Sequence, residues 1–439
     1  MKLIPSIIFT LLEIILFTSL ILYLFINKLS IPIMDEWELA GFVEHYYQGT
    51  LNLSVLNSPH NECRMLYPHL INLFIILTTK WHSFYLVSFN MLLLFIFYIL
   101  FKINLKNIIN FKNTVSNIIM LMCIIMIFSF KNYESVIMGF ALNYYLSIIA
   151  TFAALIILQK ISWRNLIISC FFAHIATLSY ATGFLTWICI IVIIILNSIE
   201  KGAKIRFILF ILLGMAVQLY FYFNNYHSTS PLTERTLNPL KIIPYSLSFL
   251  SNNFTSTSIR SIITTMGQLI SIISATYLLH KFDKKKMKYL ISYLIFGLFG
   301  ILTSLMTAYG RASEGVGQSL TRRYCTLSLP FILLFFVSLL IHYKYLNRWS
   351  TMKYVKNIFS VFILFLFSYL IFIQGKYIKQ ANEKNHDILE AKEMLLNADY
   401  SNDLVKNLIY PYPDRLKIHV EVLKKYKFSL YDSSSLQKD

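Results

Sequence analysis

The sequence predicts an all-α polytopic membrane protein, and three observations carry that prediction. Of 439 residues, 57% are hydrophobic and 14% charged, against about 25% charged in a soluble domain. Mean hydropathy is +0.61. Apolar runs near the roughly 20 residues that cross a bilayer as helix recur along the chain. They are continuous rather than alternating, which excludes an outer-membrane barrel.

The net charge of +18 would point to nucleic acid in a soluble protein. Here Lys and Arg mostly flank apolar runs, where they set topology and meet lipid headgroups, so membrane lipids are the expected partner and nucleic acid is not. The cysteines (Cys63, Cys123, Cys170, Cys189 and Cys325) form no Cys-x-x-Cys pair and define neither a disulfide framework nor a zinc site. Met1-Lys2 and an apolar run without a small-residue cleavage site read as a retained first helix. Frequent Ile, Asn, Lys and Phe fit an AT-rich bacterial or phage gene.

Eleven spans are expected, at 6–26, 83–101, 114–130, 140–158, 165–179, 183–197, 206–223, 261–279, 289–307, 325–342 and 357–374. The apolar segment Leu66–Thr79 is short for a span, and charge decides its placement. If it lies in the outer interface, segments 102–112, 159–164, 199–206, 280–288 and 342–356 face the cytoplasm with 3, 2, 3, 5 and 4 Lys or Arg, and Lys2 makes 18. The longer outer loops then hold ten: Lys28, Arg64, Lys80, Lys131, Arg235, Lys241, Arg260, Arg311, Arg322 and Arg323. Short basic loops belong inside. The N-terminus is therefore expected in the cytoplasm. A membrane-embedded part, 1–374, carries a first outer loop at 27–82, and a small outer tail follows at 375–439. Within the loop, Trp37, Leu39, Ala40, Val43 and Tyr47 fall near helical spacing and predict a helix over Glu36–Tyr47. In the tail, 380–397 and Asp414–Tyr426 read as helices around Pro411 and Pro413.

The polar clusters fall on one side. Asp35-Glu36-Trp37-Glu38 opens the first loop and His60-Asn61-Glu62-Cys63-Arg64 closes it. Lys131-Asn132-Tyr133-Glu134 occupies the next outer turn, and Arg311, Glu314, Arg322, Arg323 and Tyr324 lie in 308–324. Carboxylates at a membrane boundary suit a general base, and guanidinium groups suit a phosphate. That combination fits transfer of a sugar from a polyprenyl phosphate, where one inverting displacement needs one base. Asp35 and Glu36 are the candidate catalytic residues. Arg64, Arg311, Arg322, Arg323 and Tyr324 are candidates for binding substrate and phosphate, with His60, Glu62 and Glu134 in support. Each also has a plain structural role: Asp35 and Glu36 as helix N-terminal carboxylates, Arg322 and Arg323 as interfacial anchors, Glu62 and Arg64 as a pair with each other, and Glu134 as a solvated turn residue. Glu13, inside the first span, reads as packed or partly hydrated. His60 and His69 are spaced unlike known metal-ligand pairs. No cofactor motif is present, and no metal ligand set is assigned; a divalent cation is the one cofactor this chemistry leaves open.

With this topology the chain resembles the GT-C glycosyltransferases, polytopic enzymes that use polyprenyl- or dolichyl-linked sugars. The likeness rests on a first span, an outer loop opening with Asp35-Glu36, helices near 36–47 and 66–79, and a second span descending to a basic loop. It implies Asp35 as the catalytic carboxylate, with Glu36 its neighbour. Within that class the chain looks like bacterial proteins of the O-antigen and serotype-conversion kind. The segments that suggest this are His60-Asn61-Glu62-Cys63-Arg64, Tyr133-Glu134-Ser135 with Gly139-Phe140, and Tyr309-Gly310-Arg311 with Arg323-Tyr324. Asp-Glu stands where two aspartates are common, and Cys63 where a second histidine is expected. The resemblance implies a polyprenyl-phosphate sugar donor, a lipid-linked or lipopolysaccharide glycan acceptor, and a bacterial inner-membrane protein with its C-terminus in the periplasm. Two other readings compete. An O-antigen polymerase also has about this many spans, but no Arg in 224–260 has a Gly eleven positions later. A flippase or transporter of lipid-linked sugars is expected to show internal repeats and charged or broken helices near the midplane, and the spans here are nearly charge-free.

Overall fold

A computed structural model describes residues 4–26, 31–109, 111, 113–197, 199–226, 235–347 and 352–432. Lys2, Lys28, Lys112 and Arg348 of the charge count, with parts of the segments at 102–112, 224–260 and 342–356, lie outside these. The chain is a multi-pass bundle of helices: α1 (Ile4–Ile26), α2 (Leu39–Tyr47), α3 (Leu66–Thr79), α4 (Ser83–Leu105), α5 (Thr114–Ile127), α6 (Leu142–Ile157), α7 (Trp163–Thr177), α8 (Leu185–Leu196), α9 (Lys201–Phe223), α10 (Pro239–Leu250), α11 (Ser258–Phe282), α12 (Lys284–Arg311), α13 (Leu329–Leu346), α14 (Lys353–Leu396) and α15 (Pro413–Tyr426). A two-residue β-ladder, β1 (Pro59–His60) against β2 (Cys63–Arg64), is the one sheet among the described residues.

Nine helical stretches among the described residues are long and apolar enough to cross a membrane, α5 and α6 counting with the short helical turns that adjoin them, as Thr114–Ile137 and Gly139–Ile157. The remaining two expected spans, 165–179 and 183–197, are the short helices α7 and α8, of 15 and 12 residues. At about 1.5 Å per residue neither reaches the roughly 30 Å of a hydrocarbon core. They form a hairpin, so their crossing or not leaves the sidedness of every other segment unchanged. Ser162 opens the hairpin by accepting a hydrogen bond from the Asn165 N–H at 3.2 Å. Gly183 closes it: a Cβ there would stand 1.9 Å from the Ala176 carbonyl oxygen, so only glycine fits the turn.

Helices α5 and α13 lie at the centre, with 83% of each apolar stretch buried, and α1 and α14 lie at the rim with 17%. Where α12 crosses α13, Gly297 admits the Leu334 side chain, which would lie 2.2 Å from an added Cβ. Small residues at such crossings allow the close backbone approach that packing in lipid requires. Glu13 on α1 is paired: both of its oxygens accept from Lys102 Nζ on α4, at 2.7 and 2.5 Å. The charge thus stays inside the bundle with its partner.

The connections differ by face. On one face the turns are short, as at 158–162 and Asp283. On the other lie the first loop, 128–141, the α7–α8 turn, 312–328 and the tail. Helix α3 belongs to this loop face at both ends. The Tyr67 N–H donates to the Leu178 carbonyl at 3.4 Å, and Trp81, just past its C-terminus, donates to Glu36 of the first loop. It therefore lies along the face, and consecutive left-handed residues Lys80 (φ 53°) and Trp81 (φ 58°) turn the chain into α4.

The helix expected over Glu36–Tyr47 is a 3-10 turn, Met34–Glu38, running into α2. The expected span at 357–374 and tail helix at 380–397 are one 44-residue helix, α14. Gly375 does not break it, since one glycine costs only about 1 kcal/mol and a stripe of Tyr377, Ala381, Asn385, Ile388 and Leu395 is buried against the protein.

Gly183→Ala is expected to lower stability by about 1–3 kcal/mol, the range for forcing atoms into a filled space. It should appear as an earlier thermal transition in detergent. Gly267→Ala on α11, where nothing lies within 4 Å of an added Cβ, should leave the transition unchanged or raise it.

Candidate active site

Asp35 and Glu36 are neighbours in the Met34–Glu38 turn and serve different surroundings. The backbone turns about 120° per residue there, so adjacent side chains diverge. Glu36 is fully buried. Its Oε1 accepts from Trp81 Nε1 at 3.1 Å and Ser83 Oγ at 3.2 Å, and its Oε2 from the Gly139 N–H at 3.3 Å. Burial pushes the carboxyl up to about 7, against the pull of these donors. Glu36 latches the first loop to the start of α4 and to the 128–141 loop.

Asp35 keeps a side chain 46% exposed and lines a cavity of about 580 Å³. His60 Nε2 stands 3.6 Å from its Oδ2. Burial raises the Asp35 pKa, but the His60 contact and the Arg323 charge outweigh it and hold the carboxyl below the ordinary aspartate value. Asp35 is therefore ionised at neutral pH, the form a general base requires.

The β1–β2 hairpin delivers His60. Asn61 occupies its turn at φ 52°, a left-handed conformation that asparagine tolerates better than most residues. His60, Glu62 and Cys63 face the cavity. Burial pushes the Cys63 thiol up to about 12, so it is a neutral thiol and not an anionic ligand. Arg64 is engaged elsewhere. Its guanidinium donates to the carbonyls of Tyr222 (2.6 Å), Asn57 (2.6 Å) and Asn224 (2.7 Å), tying the hairpin to the end of α9. Glu62 pairs instead with Arg311, at 3.5 Å. His69 is buried and held neutral, burial taking it down to about 4, while its Nδ1–H donates to the Leu56 carbonyl at 2.8 Å.

The basic wall comes from the 308–324 segment. Arg311 also meets Glu314, at 3.2 Å. Arg322 and Arg323 part company: Arg322 donates to Gln380 of α14 at 3.2 Å, whereas Arg323 lines the cavity over the Tyr324 ring, 5.5 Å from its centroid. The Arg323 Nε is buried without a hydrogen-bond partner among the described residues, a donor that an entering anion would satisfy.

Of the residues singled out from sequence, Asp35, His60, Glu62, Arg311, Arg323 and Tyr324 come together on one cavity, while Glu36, Arg64, Arg322 and Glu134 do not line it. Glu134 sits in the short helix Tyr133–Ile137, whose Tyr133 donates to Asn385 of α14 at 2.5 Å. Sequence reasoning missed Arg235 as a lining residue, and it missed the aromatic wall that Tyr144, Tyr180, Tyr222 and Tyr226 form with Tyr309 of the Tyr309-Gly310-Arg311 segment. The signal available was the recurrence of tyrosine at the loop-face ends of successive helices, with Phe140, Phe184 and Phe223 beside it on the same wall. Among the described residues no group of three or more His, Cys, Asp or Glu side chains is placed to hold a metal ion. No protein-family model matches the chain, and no curated protein is similar to it in sequence.

Glu36 yields a pH signature. A carboxyl raised from 4.5 to about 7 stabilises the fold most fully below its unfolded value, and that contribution is lost as pH rises through about 7. The gap in thermal stability between the wild type and Glu36→Gln should shift against the wild type from about pH 4.5 to 7. Glu36→Ala, which leaves buried donors unsatisfied, should cost about 1–3 kcal/mol for each one orphaned.

Proposed function

We propose that this cavity is the active site of a GT-C-type membrane glycosyltransferase. It moves a sugar from a polyprenyl-phosphate donor to a cell-surface glycan acceptor, of O-antigen or lipopolysaccharide kind, on the outer face of a bacterial inner membrane. The observation that carries this reading is the pairing, on one tyrosine-lined cavity, of an ionised and accessible Asp35 with an Arg323 whose Nε has no hydrogen-bond partner among the described residues. The excess of Lys and Arg in the short turns supports placing the cavity outside and the N-terminus in the cytoplasm.

The chemistry follows from charge. Asp35 accepts the proton of the acceptor hydroxyl as that oxygen attacks the anomeric carbon. The bond from this carbon to the phosphate oxygen breaks on the opposite side, so the anomeric configuration inverts. The leaving phosphate gains negative charge, which the Arg323 guanidinium meets. Arg311, already held by Glu62 and Glu314, contributes field more than free donors. Tyrosine rings offer faces for sugar rings and hydroxyls for their polar edges. Phe223, Met306 and Tyr309 line the cavity and are 56%, 42% and 39% exposed, an apolar surface against which a polyprenyl chain would lie.

Asp35→Asn is expected to lower glycan modification by about 10²–10⁴-fold, the range for losing a general base, and Glu36→Gln to retain it. The readout is mass spectrometry of surface glycan from cells with matched membrane levels of each variant. Full modification by Asp35→Asn would sink the carboxylate-base reading. Collapse of the glycan ladder to single repeats, instead of loss of a substituent from an intact ladder, would replace it with a polymerase.

A further inference from the structure

The tail grips the first loop at the two places that hold Asp35. Glu38 ends the Met34–Glu38 turn three residues after Asp35. It accepts a hydrogen bond from Tyr410 Oη and lies 3.9 Å from Arg415 and 4.0 Å from His419 of α15. Tyr47, at the end of α2, stacks on Tyr426 with centroids 4.5 Å apart and planes 11° from parallel. The second grip is the turn after α3. The Ser429 N–H donates to the Lys80 carbonyl at 2.8 Å, the Lys80 ammonium sits 4.9 Å from the Phe428 ring centroid, and His82 stands 3.9 Å from Asp432. That turn supplies Trp81 and leads into Ser83, both donors to Glu36. Leu416, Val420, Leu423 and Phe428 are fully buried, so the tail is packed there and not merely adjacent.

We infer that the C-terminal tail is a clasp that fixes the Asp35 turn, with Glu38 and Tyr410 as positioning residues for the candidate base. Glu36 holds the turn to the membrane helices, and Glu38 holds it from the tail. The functional part rests on the glycosyltransferase reading; the clasp itself does not.

The test uses full-length protein and carbodiimide-driven coupling of a small amine to carboxyl groups, read by mass spectrometry. In the wild type Asp35 should label and Glu36 should not. In Glu38→Ala/Tyr426→Ala, Glu36 labelling should rise about tenfold, as expected from losing a hydrogen bond to a charged group, and glycan modification in cells should fall by a similar factor. Glu38→Gln, which keeps an acceptor for Tyr410, should restore both. If the double variant fails to accumulate, Tyr410→Phe removes one hydrogen bond, keeps the packing, and should move both readouts the same way. Glu36 protection unchanged, or Glu36 labelled with modification intact, would overturn the positioning role. Asp35→Asn with full modification would overturn the base reading alone and leave the labelling result to decide the clasp.

Discussion

The geometry of the loop face depends on one buried carboxylate. Glu36 gathers donors from Trp81, Ser83 and Gly139, so three separate segments meet at a single side chain. A buried acid stripped of those partners would be strongly unfavourable, which gives the arrangement few alternatives. Its consequence is directional. With Glu36 turned inward, the adjacent residue of the 3-10 turn, Asp35, is left on the cavity beside His60.

Across the cavity a comparable divergence sorts the arginines. Arg322 is spent on α14 and Arg323 is left on the cavity; Arg64 is spent on backbone carbonyls and Arg311 is neutralised by two glutamates. Most of the charge near the site therefore builds the scaffold. What the cavity presents is the ionised Asp35 carboxylate and the Arg323 guanidinium, whose Nε has no hydrogen-bond partner among the described residues, with Arg235 also on the wall.

Much of the architecture was legible in the sequence because the bilayer imposes it. Continuous apolar runs revealed the helices, and charge asymmetry put Leu66–Thr79 along a face, where the structure anchors both its ends. Apolarity marked α7 and α8 as helices but did not measure their reach, which at 15 and 12 residues is short for a span, and Gly183 keeps the turn between them tight. The cluster of candidate site residues was legible too, but not the division of labour within it. Nothing local distinguishes Asp35 from Glu36 or Arg322 from Arg323, since the partners that turn Glu36 and Arg322 away from the cavity lie 45 and 58 residues or more away along the chain. Tyr222 was not legible as a lining residue, because its cavity exists only once α9 and α12 are assembled.

The most direct measurement uses the product common to every sugar donor of this kind, a polyprenyl phosphate, titrated against purified protein with thermal stability as the readout of binding. The account predicts stabilisation of the wild type, about tenfold or more weaker affinity in Arg323→Gln, as expected for a charge-assisted hydrogen bond, and undiminished affinity in Asp35→Asn. Equal stabilisation of the wild type and Arg323→Gln would contradict it.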